Sequence, residues 1–377
     1  MLNNTVMTGP ITIDGAYGEG GGQVLRMALA LAAATGRPLG MERIRARRRR
    51  PGLAAQHLTA VRAAAAVCEA EVRGDALGST TIDFLPGGPP RGGDYAFDVA
   101  AAREGGSAGA ATLVLQTVVP LLGLAAGAST VTVRGGTHVP WSPPFDYARD
   151  VWLPVLARFG IHAELELLRW GWYSAGGGEI RARIRGRGDE GGSPDARVDL
   201  TERGTLRKVW GRAVAADLPA HIPQRMADRA WGLLTETGVG IDVRPERVRA
   251  ASPGTGIFLV AEYEHVRAGF SALGRRGRPA EEVAEEAVHA LLDHHRSGAS
   301  VDDHLGDQLI LPAALAQVET TYTVAHPTAH LTTAAWLVEQ FGLAGITLAQ
   351  GTEGNYTVTV IPENPGADKR GTANRRE

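Results

Sequence analysis

A small-residue turn, an apolar helix and a glycine stop occur in that order three times in this chain, and a repeat of that kind decides the architecture before any single residue does. GGGQVLRMALALAAATGRPL begins at Gly20, GGSAGAATLVLQTVVPLLGLAAG at Gly105 and HPTAHLTTAAWLVEQFGLAG at His326. The spacing of the first two, roughly 90 residues, is longer than solenoid repeats and points to tandem folded units. Each copy is followed by a short strand: MERIRA, STVTVRG and ITLAQG. The first two lead into second helices, PGLAAQHLTAVRAAAAVCEAEV and PPFDYARDVWLPVLARFG, both opened by proline, which suits a first helical turn. The third partner helix, DDHLGDQLILPAALAQ, precedes its strand TYTVAHP. The fold expected is α+β: three tandem repeats of a small β-sheet backed by two helices.

One stretch breaks the repeat. From residue 186 the polar, glycine-rich GRGDEGGSPDAR leads into separate strands (LRKVWGRAVAA, GIFLVAEYE) and helices (QRMADRAWGLLTE, AEEVAEEAVHALLDHH). An inserted α/β domain over 186–297 explains the break, leaving residues 1–185 and 298–361 as the repeated core. Its polar, glycine-rich ends, where chain can be removed with little strain, suggest a domain with a core of its own. The tail from Pro362, PENPGADKRGTANRRE, is polar and expected to be disordered.

The first copy of the turn, IDGAYGEGGGQVLR, has five glycines among residues 15 to 22 and one carboxylate, Glu19. A strand that empties through glycines into a helix can present bare N–H groups to an anion. It is not a P-loop, because no lysine follows, and not a dinucleotide fingerprint, because Gln23 stands where the third glycine belongs. A phosphate with Glu19 holding its cation and a tight structural turn with a solvated glutamate both remain open. Just downstream, RIRARRRR (residues 43 to 50) is six-eighths arginine in a chain of net charge −2. It lies between a strand and a helix, which favours a site within the fold over a targeting address. Arg45 and Arg48 with Gln56 and His57 could cradle phosphate; the alternative is the wet face of an amphipathic helix.

Other side chains bound the chemistry. His326 and His330 are four apart, but Pro327 bars an ordinary helix between them and no glutamate follows, which disfavours zinc. His330 is either a satisfied structural histidine or a neutral, nucleophilic one at a helix start, where the dipole disfavours the cation. Asp307 and Gln308 in DDHLGDQL could hold a base, a ribose or a metal, or simply enrich a helix in acids. The only lysines are Lys208 and Lys369, and the single cysteine, Cys68, excludes an internal disulfide framework. With no signal-peptide pattern at the start, and with Pro120 interrupting the most apolar run, the chain is expected to be cytoplasmic, with no membrane partner.

Taken together, DGAYGEGGGQVLR, RPGLAAQHLTAV, the GGSAGA and LVLQTVVP pair, RGGTHVPWSPPFDY, GWYSAGGGE, GDQLILPAAL and VAHPTAHLTT resemble the RNA 3′-terminal phosphate cyclases, in the family's order over about residues 10 to 360. The resemblance implies units similar to the C-terminal domain of translation initiation factor 3. It implies ATP-dependent conversion of RNA 3′-phosphate ends to 2′,3′-cyclic phosphates through an enzyme-histidine-AMP and an RNA-phosphate-AMP, releasing pyrophosphate and AMP. By matching position, His330 is the nucleophile, and Glu19 holds a divalent metal, Mg or Mn. Arg26, Arg45, Arg48, Gln56 and His57 line the phosphates, with Arg45, Arg48 and His57 assisting catalysis. Gln116, Asp307 and Gln308 fall in matching motifs of the nucleotide site, and Pro140 and His304 flank the adenine, His304 standing where some relatives have tyrosine. Arg47 and Arg49 fall where relatives tolerate small residues. Two alternatives stay open: a non-catalytic cyclase-like ribosome assembly protein, and an enolpyruvyl transferase, although those have six repeats. The oligomeric state, monomer or homo-oligomer, is not legible.

Overall fold

Four strands per sheet recur four times in the structure, a computed structural model that describes residues 9–187, 193–351 and 354–363. The first unit runs β1 (Ile11–Asp14), α1 (Gly22–Thr35), β2 (Leu39–Glu42), α2 (Ala55–Cys68), β3 (Glu71–Arg73) and β4 (Ile82–Leu85), in sheet order β1-β2-β4-β3. The second repeats the plan with β5 (Asp94–Asp98), α3 (Ala111–Leu124), β6 (Ser129–Gly135), a helical stretch α4 over 145–159, β7 (His162–Arg169) and β8 (Gly178–Arg185), ordered β5-β6-β8-β7.

The third unit follows the same plan but is split. Its first strand is β9 (Arg197–Leu200), and four strands and two helices intervene before the unit resumes. These are β10 (Leu206–Ala216), α5 (His221–Leu234), β11 (Gly240–Val248), β12 (Gly254–Tyr263), β13 (Arg267–Leu273) and α6 (Ala280–Ser297), forming their own sheet. Then come α7 (Asp303–Ala316), β14 (Glu319–Val324), α8 (Ala329–Gln340), β15 (Ala344–Gln350) and β16 (Tyr356–Pro362). In all three units the first strand pairs parallel with the second, the second antiparallel with the fourth, and the fourth antiparallel with the third.

This pairing shifts two boundaries read from sequence. The helix HPTAHLTTAAW is the second helix of its unit, the counterpart of α2 rather than α1, because β9 had gone unrecognised across the insertion. And residues 197–200 belong to the third sheet, while Arg187 donates to the Ala125 carbonyl of the second unit, so the extra sheet starts near 206 rather than at 186. The tail expectation falls almost wholly on residues 364–377, and the signal-peptide reading on residues 1–8, both outside the described residues.

The strand pattern explains why the sheets are one-sided. β6 and β8 bury alternate residues, Val131 and Val133 against Ile180, Ala182 and Ile184, so each sheet needs helices on one face only. Those helices are small and apolar; α1 buries all of 27–33 and α3 nearly its whole length. Both pack together at the centre, where α1 also meets α2, α7 and α8, and one continuous apolar core joins all the sheets, the inserted one included. Among the described residues no helix is long and apolar enough to cross a membrane.

Candidate functional site

The glycine turn after β1 is locked onto α8. Tyr17 stacks on Trp336 with ring centroids 3.8 Å apart. Gly18, at φ +57°, leaves no room for a side chain, since a Cβ there would lie 2.2 Å from Thr333 Oγ1. This docking brings Glu19 opposite His330, the second residue of α8, with Oε2 3.2 Å from imidazole Nδ1. The approach is off the line a hydrogen bond requires, so the buried Nδ1 has no fully formed partner. Burial holds the imidazole below its ordinary pKa, helped by the charges of Arg26, His304 and Arg48. Both effects favour the neutral imidazole over its cation. Gln23, which the failed fingerprint had singled out only as a missing glycine, donates from Nε2 to the His330 carbonyl at 3.2 Å.

The arginine run wraps the turn. Arg43 pairs with Asp14 and Arg48 with Glu19, Arg47 donates to the Gly18 carbonyl at 3.0 Å, and Arg45 donates to the Gly52 carbonyl at 2.7 Å. From the other side Arg26 and His57 converge over the first residue of α1: a Cβ added at Gly22 would lie 2.3 Å from His57 Nε2 and 2.7 Å from Arg26 Nη1. Burial lowers Arg26 to about 10, still cationic at neutral pH. Burial, then the charges of Arg26, Arg45 and Arg48, pushes His57 well below the usual imidazole range. Its Nδ1 accepts from the Ala54 N–H at 3.3 Å, which puts the proton on Nε2 and makes His57 a neutral donor aimed at the glycine turn.

The remaining predicted residues form a second ring. Gln56 Oε1 accepts from Ala110 N–H at 2.9 Å, capping α3, and its NH2 has no hydrogen-bond partner among the described residues. Gln116 on α3 is hydrogen-bonded to Gln308 on α7. Asp307 accepts from Thr328, the N-cap of α8, so it braces the helix start that presents His330. Burial raises Asp307 to about 7, with Asp303 and Asp302 adding to the rise. His304 and Pro140 are exposed, the first near the start of α7 and close enough to influence His330, the second in the loop after β6. Thus Glu19, Arg26, Arg45, Arg48, His57 and His330 come together directly. The Gln116, Gln308 and Asp307 group stands behind them. The Tyr17 and Trp336 stack and Thr333, which fix the turn, gave no signal in sequence beyond their aromatic or polar character.

A cation would find one carboxylate here. Among the described residues no three acidic, histidine or cysteine side chains gather as a metal cage. That fits a magnesium-type ion, which is commonly bound through one or two carboxylates, waters and substrate phosphates.

The family model described as RNA 3′-terminal phosphate cyclase matches residues 17–348. Among curated proteins, one of that name from Methylococcus capsulatus is 59% identical over 89% of this chain and 92% of its own length. Another from Gloeothece citriformis is 53% identical over 90% of this chain and 95% of its own, and one from Methanopyrus kandleri 42% identical over 94% and 99%.

Proposed function

The chain belongs to the RNA 3′-terminal phosphate cyclase family, and on that premise we propose that it closes RNA 3′-phosphate ends to 2′,3′-cyclic phosphates, activating them with ATP through His330. The observation that supports this reading most is the juxtaposition of a neutral helix-start histidine with a single carboxylate, ringed by Arg26, Arg45, Arg48 and the N–H of His57.

A 3′-phosphate dianion repels an incoming 2′-oxygen and lacks a good leaving group, so activation must come first. Nδ1 of His330 is buried against Glu19, which leaves Nε2 to attack the α-phosphorus of ATP. The N–P bond forms as the bond to the β-phosphate oxygen breaks, and pyrophosphate departs. The RNA phosphate then takes AMP from the histidine, and the 2′-oxygen attacks that phosphorus, expelling AMP. At each stage charge grows on phosphoryl oxygens, where Arg26, Arg45, Arg48 and His57 Nε2–H are placed to stabilise it. Glu19 would hold Mg2+ or Mn2+, and such an ion, when bound, neutralises the triphosphate and polarises the phosphorus.

A non-catalytic scaffold would have no use for this arrangement, which sets that alternative aside. The direct test is incubation with ATP labelled in its α-phosphate. Label retained on the denatured protein supports the reading, whereas a chain that takes none would favour the scaffold reading.

Two variants probe the cradle. Gly22→Ala should leave the protein folded, since alanine favours a helix, yet its methyl collides with His57 Nε2 and Arg26 Nη1. An ångström-scale displacement of such groups is expected to slow AMP transfer by about 10²-fold, read as adduct formed per second. Arg47 and Arg49 are exposed at the rim. Replacing both with alanine is expected to reduce the log–log salt dependence of RNA binding by about two units, roughly one per phosphate contact. An unchanged slope, measured by titrating binding against salt, would make them bystanders.

A further inference from the structure

Trp141 is 95% exposed, the most exposed large hydrophobic residue described, and it sits at φ +60°, a left-handed conformation that a bulky side chain rarely adopts. The loop that holds it there is tied to the body of the second unit. Val139 packs against Ala110 and Leu113 at the start of α3, Thr112 Oγ1 donates to the Pro143 carbonyl at 2.8 Å, and Phe145 N–H donates to the Thr137 carbonyl at 3.0 Å. In the same loop His138 is fully buried beside Trp170 and Trp172, with ring centroids 4.5 and 5.0 Å away. His138 N–H also donates to the Gly171 carbonyl at 3.0 Å, pairing this loop with the one that carries Tyr173, which is 68% exposed. Two bare aromatic rings therefore leave adjacent, tethered backbone segments.

Strained backbone held by its surroundings clusters at ligand sites. Here the strain presents an indole with no wall behind it. An enclosed pocket for a mononucleotide would cover such a ring, whereas a base of a flexible single strand can lie on it from solvent. The platform is continuous with the site, since the α3 start that the loop grips is the one capped by Gln56, beside His57. Arg47, Arg49 and Arg50, exposed on the turn that precedes α2, supply the positive field that a phosphate backbone seeks.

We propose that Trp141, with Tyr173, is the stacking platform for a nucleobase next to the RNA 3′-end, a recognition element for the strand rather than for ATP. The proposal rests on the cyclase reading for its ligand. Stacking on an aromatic ring is tolerant of sequence, so the platform would accept any base while orienting the end toward His330.

The test uses the full chain, a 3′-phosphorylated RNA oligonucleotide, and the same oligonucleotide made abasic at its last two positions. Trp141→Ala is expected to raise KM for the normal RNA about ten-fold, to leave AMP-adduct formation without RNA unchanged, and to have no further effect on the abasic RNA. Trp141→Phe should recover most of the loss. An unchanged KM, an equal loss on abasic RNA, or a raised ATP requirement for adduct formation, which would assign the ring to adenine, overturns the proposal. Fluorescence anisotropy of the two oligonucleotides reads stacking without catalysis. A wild-type chain that made no adduct would overturn the cyclase reading, and the anisotropy of Trp141→Ala would still decide the platform.

Discussion

Replacing His330 with alanine is expected to lower covalent capture of AMP by a factor on the order of 10⁴ or more, to background, as removal of a nucleophile does where nothing nearby substitutes for it. Neither the described lysine nor the buried His57 can take its place. Lys208, the one lysine among the described residues, is on β10 and pairs with Glu262 at 3.6 Å, remote in the fold from the glycine turn. His57 is buried with its proton-free nitrogen turned to the backbone of Ala54, so it cannot take over the attack. The adduct on wild-type protein should be a phosphoramidate, lost in acid and retained in alkali. Persistence of label in His330→Ala, or an acid-resistant adduct, would remove His330 from the mechanism. Gly22→Ala, which displaces only supporting groups, should retain a slow version of the same acid-labile adduct.

The residues that converge on the glycine turn were legible as candidates because the two at its centre are local to two motifs: Glu19 among glycines, and His330 behind a Thr-Ala helix start. What brings them together was not. The stack of Tyr17 on Trp336 and the fit of Gly18 against Thr333 join positions more than 300 residues apart, and no periodicity encodes such contacts. The repeat was visible as helices, whose apolar runs are long, but its phase in the third unit was lost. The four-residue strand 197–200 has too few residues to declare a period, and the insertion separates it from the helix that should follow. Trp141 was legible only as a residue of the GTHVPWSPP motif. That its ring would stand in solvent depends on a positive φ that no propensity predicts.

The same insertion supplies the second large effect. Sequence suggested a domain with its own core, yet its strand β10 sends Arg212 into the second unit. There the guanidinium lies 2.5 Å from Asp146 Oδ1, with the carboxylate only 6% exposed. Asp146 also accepts from His138 Nε2 at 2.8 Å. Burial alone would raise the Asp146 pKa, but the His138 hydrogen bond and the charges of Arg212 and Arg149 hold it below the usual carboxylate range. Removing one partner of such a pair leaves a buried charge, at about 3–5 kcal/mol. Arg212→Ala should fall near the lower end, because Arg149 remains 3.6 Å from the same oxygen, although it pairs mainly with Asp150. Denaturant unfolding would measure the loss. Asp146→Asn in the Arg212→Ala background should then restore part of it, since the stranded charge is gone. Simple additivity of the two changes would mean the pair does not interact. The consequence reaches the whole insertion. Gly269 N–H donates to the fully buried Asp302, the N-cap of α7, at 3.1 Å, and Phe258 packs on His138. A linker in place of these residues would remove the partners of both carboxylates and bare the apolar core that the inserted sheet shares with the rest of the chain, so the deletion is expected to be insoluble.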